Sequence, residues 1–155
     1  MHACQAVPPL RTTAVPACLT TGSKQSEKAL CYKELAIAET LAHQLGMRVL
    51  LRGRHVPGGD ALLTFANKRR VRAEFKTLVS ADARAFERNV REASRQTGAF
   101  PSAVVLDARG VGISATEAER LIDCAIRLVA PRRPQLHEVI VITQERIIQR
   151  SLRRP

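Results

Sequence analysis

The order of the apolar runs constrains the fold most. Between Met47 and Thr143 five stretches of strand length occur: "MRVLLRG", "DALLTFA", "VRAEFKTL", "SAVVLDA" and "LHEVIVIT". The first three are separated by short polar connections, the Gly/Pro loop "RHVPGGD" and the turn "NKRR". The last two are each preceded by a segment of helical period. Strands joined by turns form a meander, and strands alternating with helices are joined by crossovers. The expected fold is therefore α/β, a mixed central sheet flanked by helices in the order α-β-β-β-α-β-α-β.

Three helices frame these runs. In the first, Leu30, Leu35, Ile37, Ala38, Leu41, Ala42 and Leu45 recur at helical spacing from about Glu27, and Gly46 stops it. The second covers Ala81 to Thr97, with Phe86, Val90 and Ala93 on one stripe and Gly98 just beyond. The third opens on a Ser-x-x-Glu capping box, Ser114 and Glu117. It continues through Ala118, Leu121, Ile122, Ala125, Leu128 and Val129, and Pro131 ends it. Residues 1–27 show neither period, and Pro8, Pro9 and Pro16 oppose a helix, so they read as a linker or extended arm before one domain over 28–155.

Composition bears on partners. Of 155 residues, 25 are Lys or Arg and 14 Asp or Glu, a formal net charge of +11 that suits a polyanionic partner such as nucleic acid, an anionic membrane or an acidic protein. No apolar run approaches the roughly 18 residues that span a bilayer. Cys4, Cys18, Cys31 and Cys124 form no Cys-x-x-Cys pair and have no His at ligand spacing. They point to reduced cysteines of a protein working in cytosol rather than to a zinc site or disulfide framework. With one Tyr, four Phe and no Trp, base-stacking platforms of the kind used by RNA-recognition sheets are not expected, and recognition should rest on backbone charge and shape.

Four ionisable residues fall where they can converge: Glu34 on the first helix, Asp60 at the start of a strand, and Glu74 with Lys76 on the next. Residues two apart on a strand share a face, so Glu74 and Lys76 address one site. Mg²⁺ is commonly held by one or two carboxylates, with waters and substrate phosphates completing its shell, and Asp60 with Glu74 could supply that pair. A cation so placed, with a Lys beside it, is what cleavage of a phosphodiester needs. Plainer roles are also open: a solvent-facing cross-strand pair for Glu74 and Lys76, a turn for Asp60 after two glycines, and a helix N-terminal charge for Glu34.

Glu34, then Asp60, then Glu74-Phe75-Lys76 resemble the Glu…Asp…Glu-x-Lys core of the PD-(D/E)XK nuclease superfamily. From about Lys28 to Ile148, "AEFKTL", "NVREASRQTGAFPSAVVLDARGVGISATEAERLI" and "LHEVIVIT" look like the C-terminal toxin domains of contact-dependent growth inhibition CdiA proteins. The resemblance implies a restriction-endonuclease-like core and a metal-dependent nuclease, in many such toxins acting on tRNA. It implies Asp60 and Glu74 as ligands of a divalent metal, Mg²⁺ first and Mn²⁺ or Zn²⁺ after it. It also implies delivery within a larger secreted or surface protein, action in the cytoplasm of the target bacterial cell, and neutralisation by a cognate immunity protein, for which the +11 charge suggests an acidic surface. Gly58-Gly59-Asp60 stands where the superfamily's name has Pro-Asp. The helix carboxylate is Glu34 or Glu39, which point about 140° apart on a helix; the family's spacing to the terminating Gly, here Gly46, favours Glu34.

Arg84, Arg88, Arg91 and Arg95, spaced four, three and four apart, share a helix face that either tracks phosphates or is a solvated stripe balanced by Glu87 and Glu92. His55, in the Gly/Pro loop, reads as an exposed residue outside the catalytic set, and Asp107 as the cap of the turn after its strand. A DNA endonuclease of the same fold and a non-catalytic basic nucleic-acid-binding module remain the alternatives, because phosphate contacts dominate affinity in each case.

Overall fold

The computed structural model describes residues 32–52 and 58–152. The arm at 1–27, the start of the first helix up to Cys31, Cys4, Cys18 and His55 all lie outside the described residues. Cys124 is a free, exposed thiol, and no helix among the described residues is long and apolar enough to cross a membrane.

Helix α1 (Tyr32–Leu45) buries Ile37, Ala38 and Leu41 and ends at Gly46, whose φ of 62° is the left-handed value that a helix stop requires. Its apolar stripe is narrower than the periodicity predicts, for Ala42 is exposed: α1 lies against β1 and β3 at one side of the sheet, so only a thin stripe meets apolar partners. Helix α2 (Ala83–Gln96) is capped by Asp82, whose carboxylate accepts from the Ala85 N–H at 2.8 Å. Helix α3 (Ala115–Val129) is capped by Ser114, whose hydroxyl accepts from the Glu117 N–H at 3.2 Å. Only that half of the expected capping box forms. The Glu117 carboxylate pairs with Arg120 instead, and Glu145 takes the Ala115 N–H.

Six strands make one sheet in sequence order: β1 (Arg48–Leu51), β2 (Ala61–Thr64), β3 (Arg70–Thr77), β4 (Ser102–Asp107), β5 (Leu136–Ile142) and β6 (Ile147–Ser151). The pairs β1–β2, β2–β3 and β5–β6 are antiparallel, while β3–β4 and β4–β5 are parallel, with α2 and α3 as the crossovers. The mixed sheet expected from the sequence is present. The expectation that "LHEVIVIT" is the last main strand is corrected, because a hairpin turn at Thr143 leads into β6. The Thr143 hydroxyl donates to the Arg146 carbonyl at 2.7 Å and accepts from the N–H groups of Glu145 and Arg146. Strand β6 has Gln149, Arg150 and Ser151 after its two isoleucines, a pattern suited to an edge strand but too weak to register as an apolar run.

The two faces of the sheet carry separate apolar layers. On one, Ile37 and Leu41 of α1 pack with Leu63, Val71, Ala73, Phe75, Val105 and Ile140. On the other, Phe86 and Val90 of α2 and Leu121 and Ile122 of α3 pack with Val104, Leu106, Val139, Val141 and Ile148. An ion pair sits within this apolar setting. Glu138 of β5 is fully buried, pairs with Arg69 of the β2–β3 hairpin and accepts from Gln149 Nε2 at 3.1 Å. The Arg69 guanidinium also stacks on the Phe65 ring, 4.1 Å from its centroid.

Asp107 caps the turn after β4, as its position suggested: Oδ1 accepts from the Arg109 N–H at 3.1 Å. The Arg109 guanidinium grips both carboxylate oxygens, at 2.9 and 2.7 Å, and donates to Thr40 Oγ1 at 3.0 Å, tying α1 to the end of β4. Burial pushes the Asp107 carboxyl up, but the hydrogen bonds and charge of Arg109 outweigh it and hold the pKa below the usual value. A carboxylate depressed in the folded state contributes stability above its unfolded pKa of about 3.9 and loses it as pH falls through the lower folded value. The acid-side loss of stability below about pH 4 should therefore be shallower in Asp107→Asn, as checked by urea midpoints across that range.

Candidate active site

Asp60 stands one residue before β2, where the β2–β3 ladder ends at the Ala61–Ala73 pair. Its side chain supplies the next rung: Oδ2 accepts from the Phe75 N–H at 2.8 Å, which fixes the carboxylate against β3. The preceding glycines make this approach feasible. Gly58 and Gly59 have φ of 97° and 99°, and a Cβ on Gly59 would lie 2.6 Å from the Ala73 carbonyl oxygen. Proline, locked near −65°, cannot occupy such a position.

Glu74 and Lys76 alternate with Phe75, which belongs to the α1-side layer, so they share the opposite side of β3. Glu74 is buried nonetheless, which breaks the burial alternation of the strand. Lys76 Nζ donates to Glu74 Oε1 at 3.0 Å. Burial pushes the Glu74 carboxyl above the usual carboxylate range; the Lys76 hydrogen bond and charge oppose this, while the charges of Asp60 and Glu34 add to it. Glu74 thus senses two further carboxylates and one ammonium. Glu34, half-buried in the first turn of α1, acts electrostatically on Glu74, whereas Glu39 is exposed further along the helix. Asp107 is engaged by Arg109 and is not part of this group.

Arginines border the site. Arg52 Nη1 reaches the Gly59 carbonyl at 3.5 Å, and Arg72, two residues before Glu74 on the same side of β3, lies close to Gly58. The Arg72 guanidinium stacks on the Phe100 ring, 3.5 Å from its centroid. Neither Arg72 nor Phe100 is singled out by the sequence reading. Arg72 had a signal, since it shares the parity of Glu74 and Lys76; its contact with Phe100, across the α2 crossover, had none.

Arg84, Arg88, Arg91 and Arg95 are all exposed on α2. Arg91 pairs with Glu87, and among the described residues no carboxylate forms an ion pair with the other three. Arg91 and Arg95 combine with Arg132, Arg133, Leu128 and Val129 in an open cleft of about 150 Å³, so the stripe extends onto the α3–β5 connection. The C-terminal end of α2 adjoins the site, because Thr97 Cγ2 lies 3.4 Å from where a Gly59 Cβ would stand.

The donor chemistry fits a hard cation. Asp60 and Glu74 offer carboxylate oxygens, and a positive charge between them would relieve the unfavourable charge that Glu74 carries. Among the described residues no group of three or more His, Cys, Asp or Glu is arranged as a ready-made metal cage.

No family model matches the chain, and no curated protein matches it. Among solved structures, the chain is similar in fold to a chain of the "CdiA-CT/CdiI toxin and immunity complex from Burkholderia pseudomallei", with a TM-score of 0.52 and 15% identity over 83% of this chain and 94% of that one.

Proposed function

We propose that this chain is the toxin domain of a contact-dependent growth inhibition protein: a metal-dependent endoribonuclease of PD-(D/E)XK type that cleaves tRNA and is neutralised by an acidic immunity protein. The observation that carries the reading is the convergence of Asp60 and Glu74 with Lys76, within reach of the Glu34 charge. Asp60 and Glu74 would hold the divalent metal, Mg²⁺ first among the candidates. When bound, such an ion polarises the scissile phosphate and makes a water more nucleophilic at neutral pH. Lys76 would orient that water or neutralise charge developing on the phosphate, and Glu34 would complete the acidic wall. The fold similarity to a chain of a toxin–immunity complex supports the toxin reading, and the net charge of +11 supports both an RNA substrate and an acidic inhibitor. Delivery within a larger secreted protein, and action in the cytoplasm of a target cell, belong to the same proposal.

The Lys76–Glu74 ion pair also favours a second reading, a basic nucleic-acid-binding module in which the carboxylates are neutralised within the protein. Cleavage separates the two. Total tRNA and plasmid DNA incubated with the chain and Mg²⁺ or Mn²⁺ should show cleavage of tRNA that EDTA abolishes. Glu74→Ala should lower the rate by at least about a hundredfold while nucleic-acid binding persists. Metal-dependent cutting of plasmid alone would move the substrate to DNA, and no cutting of either would leave the binding module.

A further inference from the structure

We infer that Phe100 and Arg72 form a nucleotide subsite beside the carboxylates, in which an unpaired base lies against Phe100 and its phosphate meets Arg72. This deepens the nuclease reading and rests on it for the chemistry, though not for the binding. The first observation is exposure. Phe100, in the connection between α2 and β4, is 50% exposed in a chain with only four phenylalanines and no tryptophan. An aromatic ring left open at the mouth of a polar site is available for contact.

The second observation is what holds the ring. Arg72 covers it at 3.5 Å, so the guanidinium is immobilised in a stack and the ring is fixed in orientation. Among the described residues no carboxylate forms an ion pair with Arg72. The stacked guanidinium has Nη1 beside Gly58, and its remaining N–H groups, with no carboxylate on them among the described residues, suit a phosphate.

The third observation is register. Arg72, Glu74 and Lys76 follow one another on the same side of β3, with successive positions roughly 7 Å apart. A phosphate on Arg72 is then one nucleotide's reach from the carboxylates, and the base attached to it falls toward Phe100. Bases paired within a duplex have no free face to offer, so the subsite calls for a loop, an end or a flipped nucleotide. The expectation drawn from the low aromatic content is thereby narrowed: a stacking sheet is absent among the described residues, but a single ring stands at the site.

The absence of tryptophan makes the test direct, because Phe100→Trp introduces the chain's one indole. In a Glu74→Ala background, with EDTA present to suppress cutting, titration with single-stranded oligonucleotides should quench this indole. A matched duplex should quench it far less. Phe100→Ala should weaken single-strand binding on the order of tenfold, whereas Phe100→Tyr should retain it. Arg72→Ala should weaken binding and reduce its salt dependence, and an oligonucleotide of abasic sites should bind Phe100→Ala and the parent chain alike. RNA and DNA strands of equal sequence, run side by side, tell which sugar is preferred. Binding without indole quenching, or an unchanged affinity in Phe100→Ala, overturns the subsite. Cleavage is assayed separately with Glu74 intact, so a working subsite on a chain that cuts nothing would count against the nuclease reading alone.

Discussion

Arg69→Met is expected to lower the free energy of unfolding by about 3–5 kcal/mol, a large share of the roughly 5–15 kcal/mol available to a domain of this size. The reason is what remains. Glu138 is fully buried, and with Arg69 gone its carboxylate would have, among the described residues, only the Gln149 amide and no counter-ion. The loss measures an uncompensated carboxylate and not the worth of the pair, since ionic pairs taken out of water gain little net stability. Replacing both residues, Arg69→Met with Glu138→Leu, should therefore recover most of the loss. Urea denaturation of the two single variants and the double variant gives the answer, and a double variant no more stable than Arg69→Met would contradict this account.

The second large effect is expected at Gly59. A methyl group there meets the Ala73 carbonyl oxygen at 2.6 Å, a backbone atom that cannot rotate away, and the φ of 99° is strained for any residue with a Cβ. Strain of this kind costs on the order of 1–3 kcal/mol, so Gly59→Ala should destabilise the chain moderately. If the chain is the nuclease proposed above, the effect on cleavage should be greater. The alanine pushes the turn off β3, and Asp60 loses its hold on the Phe75 N–H. Displacement of a reacting group by about 1 Å can cost on the order of a hundredfold in rate. Cleavage assays on protein shown to be folded by circular dichroism would register it. Gly46→Ala is a useful control, because Gly46 also has positive φ but nothing lies within 4 Å of its Cβ position.

The sequence was informative where a physical signal is local. Apolar period alone places α1, α2, α3 and five strands, and parity alone puts Glu74 and Lys76 on one side of β3. Strand order brings Asp60 beside β3, where it meets the Phe75 N–H. What the sequence concealed depends on contacts made across the sheet. Arg69 and Glu138 lie 69 residues apart and meet only because β3, β4 and β5 are neighbours. The one available clue was a lone acid within the apolar run "LHEVIVIT", which requires a counter-charge. Phe100 was hidden for the same reason: its meaning comes from Arg72, placed beside it when β3 and β4 pair. Strand β6 was missed because an edge strand needs little apolar character, and half of the capping box failed because Arg120 competes for Glu117.

The separation of the core into two layers bears on cooperativity. The α2 and α3 layer holds the broader apolar faces of those two helices, whereas α1 is held by a thin stripe, Ile37, Ala38 and Leu41, and by the Arg109–Thr40 hydrogen bond. Elements with few buried contacts open at lower free energy than the whole domain. Helix α1 is then the natural first unit to detach, and it carries Glu34 away when it does. The carboxylate group around Glu74 would lose the Glu34 charge while the sheet and the arginine-lined cleft stay intact, leaving a partly opened species that keeps its basic surface.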